Sequence, residues 1–267
     1  MEDDDHSRVN RLVTAGADIA GSVTGAGFGM LVAGQAGVLV GAAAGSMLGT
    51  LVSMGSEFYQ RRLSPRETVR VGALITFASA RIRENLDAGR EIRDDGFFDD
   101  PAIGNRSAGD EIAEEIAQAV QRQAQEKKVR YLGNLLGNLA FETKVDRVTA
   151  HRVLRTSEEL SFTQFQLLGL YLRDDIALPD GEPVPGEITW HAQSVADELS
   201  NLGFAQRELV LASGRGVKVL SSIPSQLGLT SRGRLIADLL GLDALPEEEA
   251  RDVAIALWER QGVKPPW

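Results

Sequence analysis

Side chains able to carry covalent or acid–base chemistry are few and dispersed in this 267-residue chain. It holds three histidines and no cysteine, which excludes thiolate nucleophiles, disulfide staples and cysteine-ligated metal sites. His151 has no second histidine or patterned carboxylate beside it, so it reads as an ordinary surface or packing residue. The densest acidic group, Asp94-Asp95-Gly96-Phe97-Phe98-Asp99-Asp100, lacks the alternating ligands and closing Glu of a calcium loop and reads as a solvated turn. Gly25-Ala26-Gly27-Phe28-Gly29 has the glycine density of a phosphate-cradling loop, but no Gly-Lys-Ser/Thr ending and no suitably spaced downstream acid. No nucleophile stands beside a base, so the expectation is a non-enzymatic protein without a cofactor.

What the spacing offers instead is packing chemistry. Glycine accounts for 28 residues, and eleven of them lie between Gly16 and Gly55. From Ile19 to Ser56 run 38 residues without a charge, more than the roughly 18 apolar residues that mark a membrane span. Within them Gly21, Gly25, Gly29, Ala33, Gly37, Gly41, Gly45 and Gly49 keep a strict period of four. In a helix that row follows the i±4 ridge, and a ridge without side chains is a groove into which a second helix fits closely. One straight helix of this length would run about 57 Å, nearly twice a hydrocarbon core of ~30 Å, so a hairpin bending at Gly34-Gln35-Ala36-Gly37 fits better. Arg8 and Arg11 precede it and Arg61, Arg62 and Arg66 follow, which places both ends on the cytoplasmic side of a bacterial inner membrane. A cytoplasmic protein with the same hairpin buried inside a homo-oligomer satisfies the pattern equally. The acidic start, Glu2-Asp3-Asp4-Asp5, does not resemble a signal peptide.

The remainder reads as mainly helical. Ser64-Pro65-Arg66-Glu67 is a capping-box start, and Val71, Leu74, Ile75, Ala78, Ile82 and Leu86 follow at helical spacing, with an end expected near Asp94-Asp95-Gly96. Arg61, Arg62, Arg66 and Arg70 are candidates for a membrane-surface contact, the alternative being ion pairs with acids along the helix. After a linker from Gly104 to Gly109, a second helix carries Ile112, Ile116, Val120 and Ala124 and is expected to run on through Phe141. Gly-Asn-Leu recurs four residues apart there, so Gly133 with Gly137 and Asn134 with Asn138 share faces, permitting close helix contact with amides bonding across it. Val148, Val153 and Leu154 mark a further helix, and Phe162, Phe165, Leu168 and Leu172 another, capped by Ser161 or Thr163.

The run Glu126-Lys127-Lys128 through Tyr131 to Asn134-Leu135-Leu136, followed by Leu160-Ser161, Gln164 and Leu167-Leu168, resembles bacterial abortive-infection proteins of the Abi-alpha type. That resemblance covers some 100 to 130 residues, mainly the middle of the chain. It implies phage defence by growth arrest or cell death, without catalytic residues to carry over. The glycine row is similar to glycine-zipper membrane hairpins.

Past Pro179 to Gly186, a linker, the C-terminal part reads as a helix over Ser194 to Leu202, strands at Glu208–Ser213 and Val217–Leu220, and a helix after Thr230. The layout Leu199-x-x-Leu202-Gly203-Phe204 followed by Leu229-Thr230-x-x-Gly233 resembles the end of a winged-helix domain. Its candidate recognition helix carries Asp197 and Glu198 and no cation, and the chain has a net charge of -10, so a protein partner suits it better than nucleic acid. The expected layout is an acidic tail (1–18), a glycine-zipper hairpin (19–56), a charged helical bundle (57–178), a small winged-helix-like α+β module (179–244) and a terminal helix (245–267). Three functions compete. The first is a membrane-associated, self-assembling defence effector with a protein trigger. The others are a soluble homo-oligomeric scaffold and a winged-helix transcription regulator.

Overall fold

The computed structural model describes residues 63–103, 106–180, 202–207, 225, 227–259 and 264–266. The glycine row from Gly21 to Gly49, Arg61 and Arg62, and the strands expected at 208–220 lie outside these residues. Within them the protein is mainly α-helical: seven α-helices and two antiparallel strand pairs of at most three residues, with no larger sheet. No helix among the described residues is long and apolar enough to cross a membrane. They pack as two compact units, one up to Glu159 and one from Leu160 on.

Among the described residues of the first unit, α1 (Pro65–Asp87) comes first, and its capping box is formed as the sequence suggests. The Ser64 hydroxyl accepts from the Glu67 amide, and the Glu67 carboxylate accepts from the Ser64 amide at 2.8 Å. Val71, Leu74, Ile75, Ala78 and Ile82 are buried along one face. The helix ends at Asp87, earlier than the acidic turn expected to stop it. Gly89, at φ +76°, takes the left-handed conformation, its amide donates to Leu86 O, and the Arg90 amide reaches back to Asn85 O at 2.9 Å. This pairing closes the last turn as a Schellman motif, seven residues before Gly96.

A short pair of strands, β1 (Pro101–Ile103) and β2 (Arg106–Ser107), leads into α2 (Ala108–Arg122). Gly109, expected in a linker, lies in the first helical turn, where the Phe98 ring covers its Cα. The second helix does not run on to Phe141. It stops at Arg122, Gln123 is extended, and α3 (Lys128–Leu139) starts afresh. The break lets both segments pack on α1. The connection is tied to α1 by Arg70, which donates to Gln121 O at 2.9 Å. α4 (Arg147–Glu159) completes the unit, and its Val153 and Leu154 are buried. Val148 lies on the same helix, as expected, and is 61% exposed.

In the second unit, α5 (Phe162–Leu170) is capped by Ser161 in a box with Gln164. Gly169 lets α5 meet the 3-10 turn Leu242–Ala244, since a Cβ there would sit 3.0 Å from Leu242 O. The terminal helix α7 (Glu247–Glu259) is held by Gln166 donating to Glu249 O and by the Trp258 indole donating to Ala177 O, both at 3.0 Å. The strands β3 (Ala205–Arg207) and β4 (Leu227–Leu229) pair antiparallel ahead of α6 (Ser231–Leu240).

Of the residues that carried the winged-helix likeness, Gly203, Phe204, Thr230 and Gly233 meet here. The Thr230 hydroxyl caps α6 by accepting from the Gly233 amide at 3.0 Å and donates to Gly203 O at 2.8 Å, while the Thr230 amide donates to Phe204 O. A Cβ on Gly233 would lie 2.0 Å from Phe204 O, a backbone atom that cannot rotate aside. Gly233→Ala is therefore expected to destabilise this unit despite the roughly 1 kcal/mol that Ala offers a helix. The measurement is hydrogen exchange of the α6 amides, which should lose protection in the variant; unchanged protection would show that this contact does not hold α6 in place.

Candidate functional site

Residues singled out in the sequence converge on the crossing of α1 and α3. Gly133 and Gly137 face α1 so closely that a Cβ on Gly133 would lie 2.6 Å from Phe77 Cβ and 3.0 Å from Leu74 O. One on Gly137 would lie 2.8 Å from Ala78 O. Small residues four apart thus bring two helix backbones into contact. Beside them Asn138, 3% exposed, accepts at Oδ1 from Asn85 Nδ2 and from Arg81 Nε, each at 2.9 Å. Asn85 Oδ1 in turn accepts from Arg90 at 3.0 Å, and the Arg90 guanidinium stands over the Phe141 ring. Asn134, one turn earlier, is buried on the same helix.

Of the four arginines proposed to face a membrane, the two described ones have defined partners. Arg66 donates to Glu126 at 2.8 Å and is 71% exposed; Arg70 reaches the same carboxylate at 3.3 Å and is 12% exposed. The Arg66 hydrogen bond, together with the charges of both arginines, holds the Glu126 carboxyl below its ordinary range. Arg70 is consequently spent inside the unit, joining α1 to the α2–α3 connection.

Three further features were not read from the sequence. Arg93 is buried and donates to Asp95 at 2.8 Å and to Val145 O at 3.1 Å, with its guanidinium 4.0 Å from the Phe97 ring centre. Part of the acidic turn is therefore the counterion of a buried arginine. The Arg93 hydrogen bond holds the Asp95 carboxyl below the usual carboxylate range. Second, α2 and α4 are laced at matching four-residue steps by the Arg147–Glu111 ion pair and by His151 Nδ1 against the Glu115 carboxylate. His151 is thus a paired surface residue between two helices. Third, Lys128 is 1% exposed and donates from Nζ to Glu158 O at 2.9 Å, an acceptor in the last turn of α4. Its signal is visible in retrospect, since Lys128, Leu132, Leu135 and Leu139 form one apolar repeat with a lysine in the first place. Among the described residues no group of three His, Asp or Glu side chains is placed to hold a metal ion.

The arrangement is one of docking and registration, built from backbone contact, buried amides and paired charges. Comparison with protein-family models, curated proteins and solved structures finds no match for the chain.

Two outcomes follow from this geometry. Gly137→Ala forces a methyl into Ala78 O and is expected to cost about 1–3 kcal/mol, measurable by urea unfolding. Burial pushes the Lys128 ammonium from 10.5 down to about 8, the Glu158 charge opposing the shift. A cation with a lowered folded-state value burdens the fold wherever it is protonated, so between pH 8 and 10.5 the unfolded chain binds more protons and stability rises with pH. Lys128→Met is expected to flatten that rise when unfolding is compared at both ends of the window; an identical slope in variant and wild type would contradict it.

Proposed function

We propose that this chain is a membrane-associated, self-assembling effector of bacterial phage defence, acting by helix assembly in or at the inner membrane rather than by catalysis. The observation that carries the reading is the uncharged segment from Ile19 to Ser56 with its unbroken small-residue row, flanked by arginines on both sides. Lipid gives helices no hydrophobic reason to associate, so close backbone packing along such a row is the available driving force. The resemblance of Glu126–Leu168 to Abi-alpha proteins points to abortive infection. The α1–α3 crossing supports the same division of labour, because a rigid bundle starting at Ser64 is what would hold or release an adjoining membrane segment. The C-terminal unit is the proposed contact for a protein trigger, because the sequence expected to form its recognition helix, Ser194 to Leu202, carries Asp197 and Glu198 and no cation.

The test is replacement of Gly41 and Gly45 together by Leu. Wild-type protein expressed in a bacterial host is expected in the membrane fraction, oligomeric in detergent and able to arrest growth. The double variant is expected to lose assembly and growth arrest. Retention of both in the variant would sink the proposal, and a cytosolic wild-type oligomer would favour the scaffold reading.

A further inference from the structure

The charges of the first unit are distributed unevenly between use and exposure. Arg66, Arg70, Arg81, Arg93, Arg106, Arg122 and Arg147 all have ion-pair partners, and His151 contacts the Glu115 carboxylate. Among the described residues up to Glu159, three cations have side chains without a hydrogen bond or ion pair: Lys144, Arg152 and Arg155. All three belong to α4 or the turn leading into it, and all are exposed. Val148, Arg152 and Arg155 stand at i, i+4 and i+7, which puts them on one helical face. Val148 is the most exposed large apolar side chain among the described residues. The local acids do not cancel this face. Asp146 is engaged as the cap of α4, accepting from the Thr149 amide at 2.8 Å; Glu159, exposed one turn after Arg155, is the one acid on the stripe and leaves it with a net positive charge.

We propose that this face of α4 seats on the anionic headgroups of a lipid bilayer, with Val148 entering the interface between the cations. Charge complementarity argues for it. A chain of net charge -10 is repelled from an anionic surface on average, so it can approach only through a locally positive face, and unpaired arginines beside an exposed aliphatic residue form one. The proposal rests on the membrane reading of residues 19–56. If that segment is in the bilayer, Ser64 follows Ser56 by eight residue steps, a tether of at most about 28 Å. The unit is then held beside the headgroups continuously, so a weak contact suffices to orient it. This replaces the inward-turned Arg70 by α4 as the surface-facing element of the unit.

The absence of cysteine makes the test specific, because Val148→Cys introduces the sole thiol of the chain for an environment-sensitive fluorophore. Full-length labelled protein is mixed with vesicles of neutral phosphatidylcholine or of the same lipid containing phosphatidylglycerol, and both sedimentation and emission are read. The expected result is co-sedimentation with both vesicles and a blue shift with the anionic ones alone, reversed by high salt. Adding Arg152→Gln and Arg155→Gln is expected to lower the ratio of seated to free probe roughly 30-fold, while co-sedimentation persists. Co-sedimentation without any blue shift overturns the α4 contact and leaves the membrane reading standing. Failure to sediment with either vesicle removes that reading and this contact with it. A shift that instead tracks protein concentration without vesicles assigns the face to a second copy and also overturns the proposal.

Discussion

The first unit depends on one steric condition, that the backbone of α3 touch the backbone of α1. Gly133 and Gly137 make this possible, because the space a Cβ would need is already filled by Leu74 O, Phe77 Cβ and Ala78 O. At that separation the short amide of Asn138 reaches Asn85 and Arg81 across the interface, which a wider crossing would leave to water. α3 is buried along almost its whole length, and its first residue, Lys128, finds its acceptor at the end of α4. Backbone approach and amide network are thus consequences of two missing methyl groups.

Charge serves a different purpose in this unit. Pairs such as Arg66 with Glu126 and Arg147 with Glu111 lie largely at the surface, where each contributes of order 0–1 kcal/mol. Their value lies in fixing which turn of one helix meets which turn of another, as in the matched steps of α2 and α4. Arg93 is the exception, since it is buried and its guanidinium is satisfied by Asp95, two backbone carbonyls and the face of Phe97. Against this background the unpaired cations of α4 stand out as charge left over from folding.

The second unit repeats the use of glycine for contact, with Gly233 against Phe204 O and Gly169 against Leu242 O. In both units, then, glycine inside a helix marks a place where another segment comes within van der Waals distance of the main chain. This is the same physical signal as the row from Gly21 to Gly49, which gives that row a precedent inside the protein itself. Glycine in a helix costs roughly 1 kcal/mol relative to Ala, and close packing is what repays that loss here.

Local signals were legible because their causes are local. The box at Ser64, the cap at Ser161, the terminal helix α7 and the buried face of α1 follow from hydrogen bonds and periodicity within a few residues. The pairing of Gly133 with Gly137 and of Asn134 with Asn138 on shared faces was also legible, but not what those faces would meet. The early stop of α1 had a readable mark in Ala88-Gly89 that the denser acidic turn outweighed. What only the tertiary structure decided is partner choice across long separations: Arg70 with Glu126, Arg93 with the carbonyls after α3, Lys128 with the end of α4. The sequence likewise put Val148 on a helix with Val153 and Leu154, and only the packing of α4 decided that it faces solvent. Periodicity specifies that a face exists; which element covers it is set by how all the helices fit together, and no local pattern encodes that.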